Sequence, residues 1–175
     1  MVLVGGPRSQ FAEATTFPTI RYHLTVERML ADAGIACDYV EAGIVADICA
    51  HEATARAIFE RYSDVDAIVG SDLVASVALQ EALRRGISVP RDLQIIAYDG
   101  TFMAETAGMR LTAVRQDFPA VAAALASRMD SQIAADNGTT SAAAAEGGNA
   151  VAANGGQSTS EDIISVTLIP GETTR

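Results

Sequence analysis

Residues 66–118 read DAIVGSDLVASVALQEALRRGISVPRDLQIIAYDGTFMAETAGMRLTAVRQDF, and their punctuation decides the fold. A short apolar run, Ala67 to Val69, ends in the polar pair Ser71-Asp72. A helical stretch, Leu73 to Arg85, stops at Gly86. A second apolar run, Gln94 to Ala97, ends in Asp99, and a third, Leu111 to Val114, ends in Gln116-Asp117. Short buried strands alternating with helices of this length predict a parallel sheet with crossover helices. In such a sheet ligands bind outside the carboxyl ends of the strands. The polar residues that close the three runs therefore predict one wall of a ligand site.

The same grammar extends upstream. Met1 to Val4 is an apolar run closed by Gly5-Gly6-Pro7 and reads as a buried strand. Residues 8–18 form a polar loop that carries Phe11 and Phe17, aromatic faces of the kind that stack on sugar rings. Thr19 to Ala33 has apolar residues at near-helical spacing, and Gly34 is placed to stop that helix. Arg21 falls in its first turn, where a guanidinium can hold hydroxyls or a carboxylate by paired bonds. Ala36 to Val40 reads as a strand and Ile48 to Tyr62 as a helix, with Asp47 as its cap.

Downstream, Phe118 to Ala135 is an Ala-rich helix. Residues 136–160 are low in complexity and read as a flexible loop, and Ile163 to Ile169 reads as a last strand before a polar tail. The division expected is 1–117 as one α/β unit, 118–135 with 161–175 as a helix and strand apart from it, and 136–160 as a linker.

Bulk properties remove several functions. The chain has 175 residues, 49% of them hydrophobic, and a net charge of −10. Its twelve basic residues are all Arg. Such an acidic chain does not suit nonspecific binding to nucleic-acid phosphates. No apolar run is long enough for a membrane span, and MVLV lacks the length and basic flank of a signal peptide. A cytoplasmic protein without a membrane partner is expected. Cys37 and Cys49 read as reduced thiols, with a disulfide as the less favoured alternative. No phosphate loop, dinucleotide fingerprint, metal-ligand set or nucleophile–base pair is present, so neither a cofactor nor catalysis is expected. His23 and His51 read as surface or core histidines. Asp72 and Asp99 are the sharpest pair; Ser71 or Asp72 can cap the helix that follows, and Asp99 is a natural turn residue before Gly100.

The segments GISVPRD, AYDG and LTAVRQD, spaced as they are in 66–118, resemble the effector-binding region of the LacI/GalR family of bacterial transcription repressors. VLVGGP and LIPGETTR resemble the family more weakly. The resemblance implies the C-terminal subdomain of a periplasmic-binding-protein type I-like fold, a three-layer α/β/α arrangement. It implies a small-molecule effector, typically a sugar, held by Arg21, Ser71, Asp72, Asp99 and Gln116. It also implies a homodimer, with Leu79, Leu83, Phe102 and Met103 as contacts, and DNA contact only through a helix-turn-helix domain that this chain lacks. Departures include Leu24 and Thr25 after Arg21, a distance from Arg21 to Gly34 one residue longer than the family's, and Ser71 before Asp72. The expected product is a fragment holding one wall of a two-walled cleft, with weak effector binding by itself. A transporter's sugar-binding protein of the same fold, or a flavodoxin-like α/β enzyme, are the alternatives.

Overall fold

The computed structural model of the chain describes residues 1–8, 18–43, 47–106, 108–145 and 164–175. In chain order the elements are β1 (Val2–Gly5), α1 (Pro18–Asp32), β2 (Asp38–Glu41), α2 (Ile48–Arg61), β3 (Ala67–Ser71), α3 (Asp72–Arg84), β4 (Gln94–Asp99), α4 (Met103–Thr106), β5 (Thr112–Gln116), α5 (Phe118–Ala145) and β6 (Val166–Ile169). The strands lie in the order β2-β1-β3-β4-β5-β6. The pairs β1–β2, β1–β3, β3–β4 and β4–β5 are all parallel. The fold is α/β, a mostly parallel sheet flanked by helices. Its order reverses at β1, so the chain leaves β1 and β3 in opposite directions. That switch point opens a crevice at the carboxyl ends of these two strands.

Strand parity sorts the side chains. Val2, Val4, Ile68, Ile95, Ala97 and Ala113 form one cluster with Ile58 and Phe59 of α2 and with Val74, Ala75, Ala78, Leu79 and Ala82 of α3. The alternate residues Leu3, Tyr39 and Tyr98 point to the other face, because successive side chains on a strand alternate. Helix starts follow their local chemistry. Asp47 caps α2 by accepting from the Cys49 and Ala50 amides, and Ser71 caps α3 by accepting from Val74.

Helix α3 corrects one expectation. Leu79, read as a dimer contact, is fully buried in the core. Most of α3 is apolar and its buried residues run around the helix. It lies against both β3 and β4 on one side and α2 on another. An apolar helix of this kind has no free face at Leu79. Leu83 and Phe102 are exposed, and Met103 is half-buried.

Two compact units make up the described chain: Met1–Gln116 with Thr167–Arg175, and Asp117–Val166. The second is essentially α5. It extends ten residues past the predicted end at Ala135, to Ala145. One glycine inside a helix costs about 1 kcal/mol relative to alanine, too little to end it before the favourable run Ala142–Ala145. The rest of the predicted linker, residues 146–160, lies outside the described residues, as does Ile163.

The polar tail is not a loose end. Thr173 is fully buried, its carbonyl accepts from the Ile95 amide, and its hydroxyl donates to the Ile95 carbonyl at 2.6 Å. The same hydroxyl accepts from the Thr112 amide at 2.9 Å. Glu172 exchanges bonds with Arg110, and Gly171 sits so close to the Arg110–Leu111 backbone that any side chain would overlap it. The tail thus satisfies backbone groups where β4 and β5 begin, and it belongs to the first unit. Thr173→Val keeps the shape but strands the buried Thr112 amide. It should cost about 1–3 kcal/mol in urea unfolding; an unchanged midpoint would mean that the hydroxyl's two bonds contribute nothing net.

Candidate functional site

The carboxyl ends of β3, β4 and β5 bring Ser71, Asp72, Asp99 and Gln116 to one edge of the sheet, as the parallel register requires. Ser71 pairs with Tyr98, and Asp99 with Arg115, so the strand ends are level within a residue or two. Their roles are not equal. Ser71 is the cap of α3. Asp72 is buried, and its carboxylate accepts from the amide of Gly100 at 3.2 Å, the amide of Thr101 at 2.5 Å and the hydroxyl of Thr101 at 2.6 Å. It holds the turn that follows β4.

That turn is tight. Asp99 has φ +100° and Gly100 has φ +65°. A side chain at residue 100 would overlap the Arg115 backbone, so only glycine fits. Arg115 donates from Nε to the Gly100 carbonyl at 3.0 Å and from Nη2 to Glu105 at 2.9 Å. A non-glycine residue in the left-handed region costs on the order of 1–3 kcal/mol and persists where its surroundings over-determine it. Here Asp72 and Arg115 grip the backbone just beyond Asp99. The Asp99 carboxylate is thereby aimed outward, where it accepts from Gln116 Nε2 at 2.7 Å. Burial raises the Asp99 pKa above the ordinary aspartate value, the Asp72 charge raises it further, and the Gln116 bond opposes both.

Aromatic residues back this edge, and sequence reasoning missed them. The Tyr22 and Tyr98 rings lie 4.6 Å apart at 44°. Burial raises the Tyr22 pKa, and the Asp99 charge raises it further. Burial likewise raises Tyr98, and Tyr39 is pushed up to about 12. His23 is fully buried among them. Strand parity alone could have flagged Tyr98, since Ala97 faces the core. No local signal marked Tyr22, whose place depends on how α1 packs against β4. Arg21 lies in the first turn of α1. Phe11 and Phe17 lie outside the described residues.

Among the described residues no group of three or more His, Cys, Asp or Glu is arranged to hold a metal ion. No described helix is long and apolar enough to cross a membrane. Cys37 and Cys49 are free thiols. The edge presents the Asp99 carboxylate and the Gln116 amide beside the Tyr98–Tyr22 ring pair, groups that can hydrogen-bond to the hydroxyls of a small molecule.

Comparison with known proteins gives the family and supports the fold. The periplasmic binding protein-like domain family matches residues 3–151, and the chain belongs to that family. The chain is 45% identical over 49 residues to the ribose operon repressor of Bacillus subtilis, covering 27% of this chain and 15% of that protein. Its fold is similar to that of the periplasmic binding ribose operon repressor protein from Lactobacillus acidophilus, with a TM-score of 0.72, 20% identity and coverage of 99% of this chain and 55% of that one. It is similar also to a LacI family transcriptional regulator from Arthrobacter sp. FB24 in complex with lactose, with a TM-score of 0.73, 18% identity and coverage of 99% and 56%. The chain thus spans a little over half the length of these solved relatives, and a smaller share of the repressor from Bacillus subtilis.

The raised pKa of Asp99 has a direct consequence. A carboxyl group whose folded pKa lies above its unfolded value favours folding below the unfolded value, and that contribution is lost as pH rises through the folded one. Asp99→Asn keeps the left-handed tolerance and the Gln116 bond but removes the charge. Thermal melts should show the variant more stable than wild type at pH 7 and equal to it below the aspartate range. A variant that is less stable at pH 7 would contradict the burial and charge repulsion described for Asp99.

Proposed function

We propose that this chain is the effector-binding and dimerisation portion of a LacI/GalR-type transcription repressor, and that its effector is a sugar. One observation carries the reading: Asp99 and Gln116 are hydrogen-bonded to each other at the carboxyl edge of the sheet, and Asp99 follows Tyr98, whose ring packs on Tyr22. Carboxylate and amide acceptors read sugar hydroxyls, and an aromatic ring offers its face to the sugar's C–H groups. The ribose repressors and the lactose-bound regulator named above support the choice of ligand class. The protein acts by binding rather than by catalysis, in the cytoplasm. Operator DNA is contacted through a helix-turn-helix module and not through this acidic α/β unit.

The strand-end residues form one wall, and an effector acts by closing a second wall against it, shifting a two-state equilibrium. The wall by itself should bind weakly. Backbone NMR of the full chain with D-ribose or lactose at tens of millimolar should show shifts centred on Tyr22, Asp99, Gly100 and Gln116, with Kd about 1 mM or weaker. Shifts centred elsewhere, or none with either sugar, would overturn the reading, and micromolar affinity would show that the wall is a complete site.

The dimer contact moves with the correction to α3. Of the expected contacts, Leu83 at the end of α3 and Phe102 before α4 are 46% and 75% exposed, and they remain as the apolar anchors without Leu79. A groove of about 230 Å³ on the α2–α3 face, lined by Glu52, Arg56, Val77, Gln80, Glu81 and Arg84, lies beside Leu83 in the sequence of α3 and offers both signs of charge. Sedimentation of a Leu83→Asp, Phe102→Asp variant should give monomers where the wild type dimerises; an unchanged dimer would place the interface elsewhere.

A further inference from the structure

The inference rests on the effector-wall reading and concerns the residue behind that wall. His23 is fully buried on α1. Its ring meets three tyrosines edge-on: Tyr22 and Tyr98 with centroids at 5.4 Å and 77°, and Tyr39 at 5.8 Å and 83°. The three come from α1, β4 and β2, so one imidazole joins the helix to two strands. A fourth element closes around it. At the end of β1, any side chain at Gly5 would overlap both His23 Nε2 and the Tyr39 hydroxyl. The Tyr39 hydroxyl donates to the Gly6 carbonyl at 2.7 Å.

The imidazole carries a polar cost in this buried place. Its Nδ1 is buried and has no hydrogen-bond partner among the described residues. Buried polar atoms are nearly always paired, so an orphan nitrogen calls for a compensating role. The compensation is visible at the other nitrogen. Nε2 lies 3.1 Å from the Tyr98 hydroxyl, which is itself half-buried. Tyr98 packs on Tyr22, and the next residue after it is Asp99.

We propose that His23 is a positioning residue for the effector wall: it grips the Tyr98 hydroxyl and so fixes the Tyr98–Tyr22 pair that shields Asp99 from water and aims its carboxylate at an effector hydroxyl. Without the grip, the Tyr98 hydroxyl has to turn toward water for a partner. The ring moves with it, and Asp99 becomes solvated. The charged groups near His23 are compatible with a neutral imidazole in this role. Burial lowers its pKa, and Glu27 on the same helix opposes that. Glu27 is in turn paired with Arg8, whose guanidinium also lies 4.3 Å above the Tyr39 ring. Around Asp99 the facing groups are Asp72, Gln116, Tyr22 and Tyr98.

The test needs no ligand. Carboxyl-carbon NMR follows the titration of Asp99 in the full chain for wild type, His23→Phe, His23→Asn and His23→Gln. A glutamine amide reaches the position of Nε2 and keeps the grip. An asparagine amide reaches only that of Nδ1 and loses it. Asp99 should titrate above the ordinary aspartate range in wild type and in His23→Gln, and shift down toward that range in His23→Phe and His23→Asn. If His23→Phe does not fold, the contrast between Asn and Gln decides. Equal Asp99 titration in His23→Asn and wild type would overturn the proposal, and so would a downward shift in His23→Gln equal to that in His23→Asn. D-ribose or lactose added to the same samples separates the two claims: loss of all sugar-induced shifts in wild type would sink the effector reading while leaving the Asp99 result standing.

Discussion

A single buried carboxylate organises the functional edge. Asp72 opens α3, yet the three hydrogen bonds of its carboxylate reach across to Gly100 and Thr101 after β4. Charge-assisted bonds to backbone amides are among the stronger ones available, and burial keeps water from competing for them. They tie the start of one helix to the turn after the neighbouring strand. The left-handed conformation of Asp99 depends on that tie, because the residue itself disfavours it. The outward carboxylate and its bond to Gln116 both follow. In the proposed effector wall Asp72 is therefore the support and Asp99 the face.

The support is layered. Arg115 bonds the Gly100 carbonyl from the β5 side, while His23 and Tyr98 brace the end of β4 from the α1 side. Far from this edge, Thr173 stitches the beginnings of β4 and β5. The same two strands are thus fixed at both ends. Such rigidity suits the proposed effector wall, since a preordered site spends less of its interaction energy on ordering its own side chains.

Much of this was legible from residue order. The strands β3, β4 and β5, the caps Asp47 and Ser71, and the convergence of Asp72, Asp99 and Gln116 all follow from local pattern and parallel topology. What was not legible depends on contacts between distant segments. Leu79 was misplaced because α3 is apolar nearly all round, and periodicity cannot show which side of such a helix stays open. His23 and Tyr22 gained their roles only when α1 lay against β1, β2 and β4. Thr173 sits in a polar tail whose composition resembles a loose end, and only its pairing with Ile95 and Thr112 shows otherwise. The helix α5 passed its predicted end because alanine-rich sequence tolerates an internal glycine.

Hydrogen exchange at Gly100 and Thr101 reads the central tie directly. Both amides donate to Asp72, so in wild type they should exchange far more slowly than amides of an exposed turn. In Asp72→Ala that protection should vanish at these two positions while Ile96 and Ala97, within β4, stay protected. Equal exchange at Gly100 and Thr101 in the two proteins would contradict the view that Asp72 holds the wall in place.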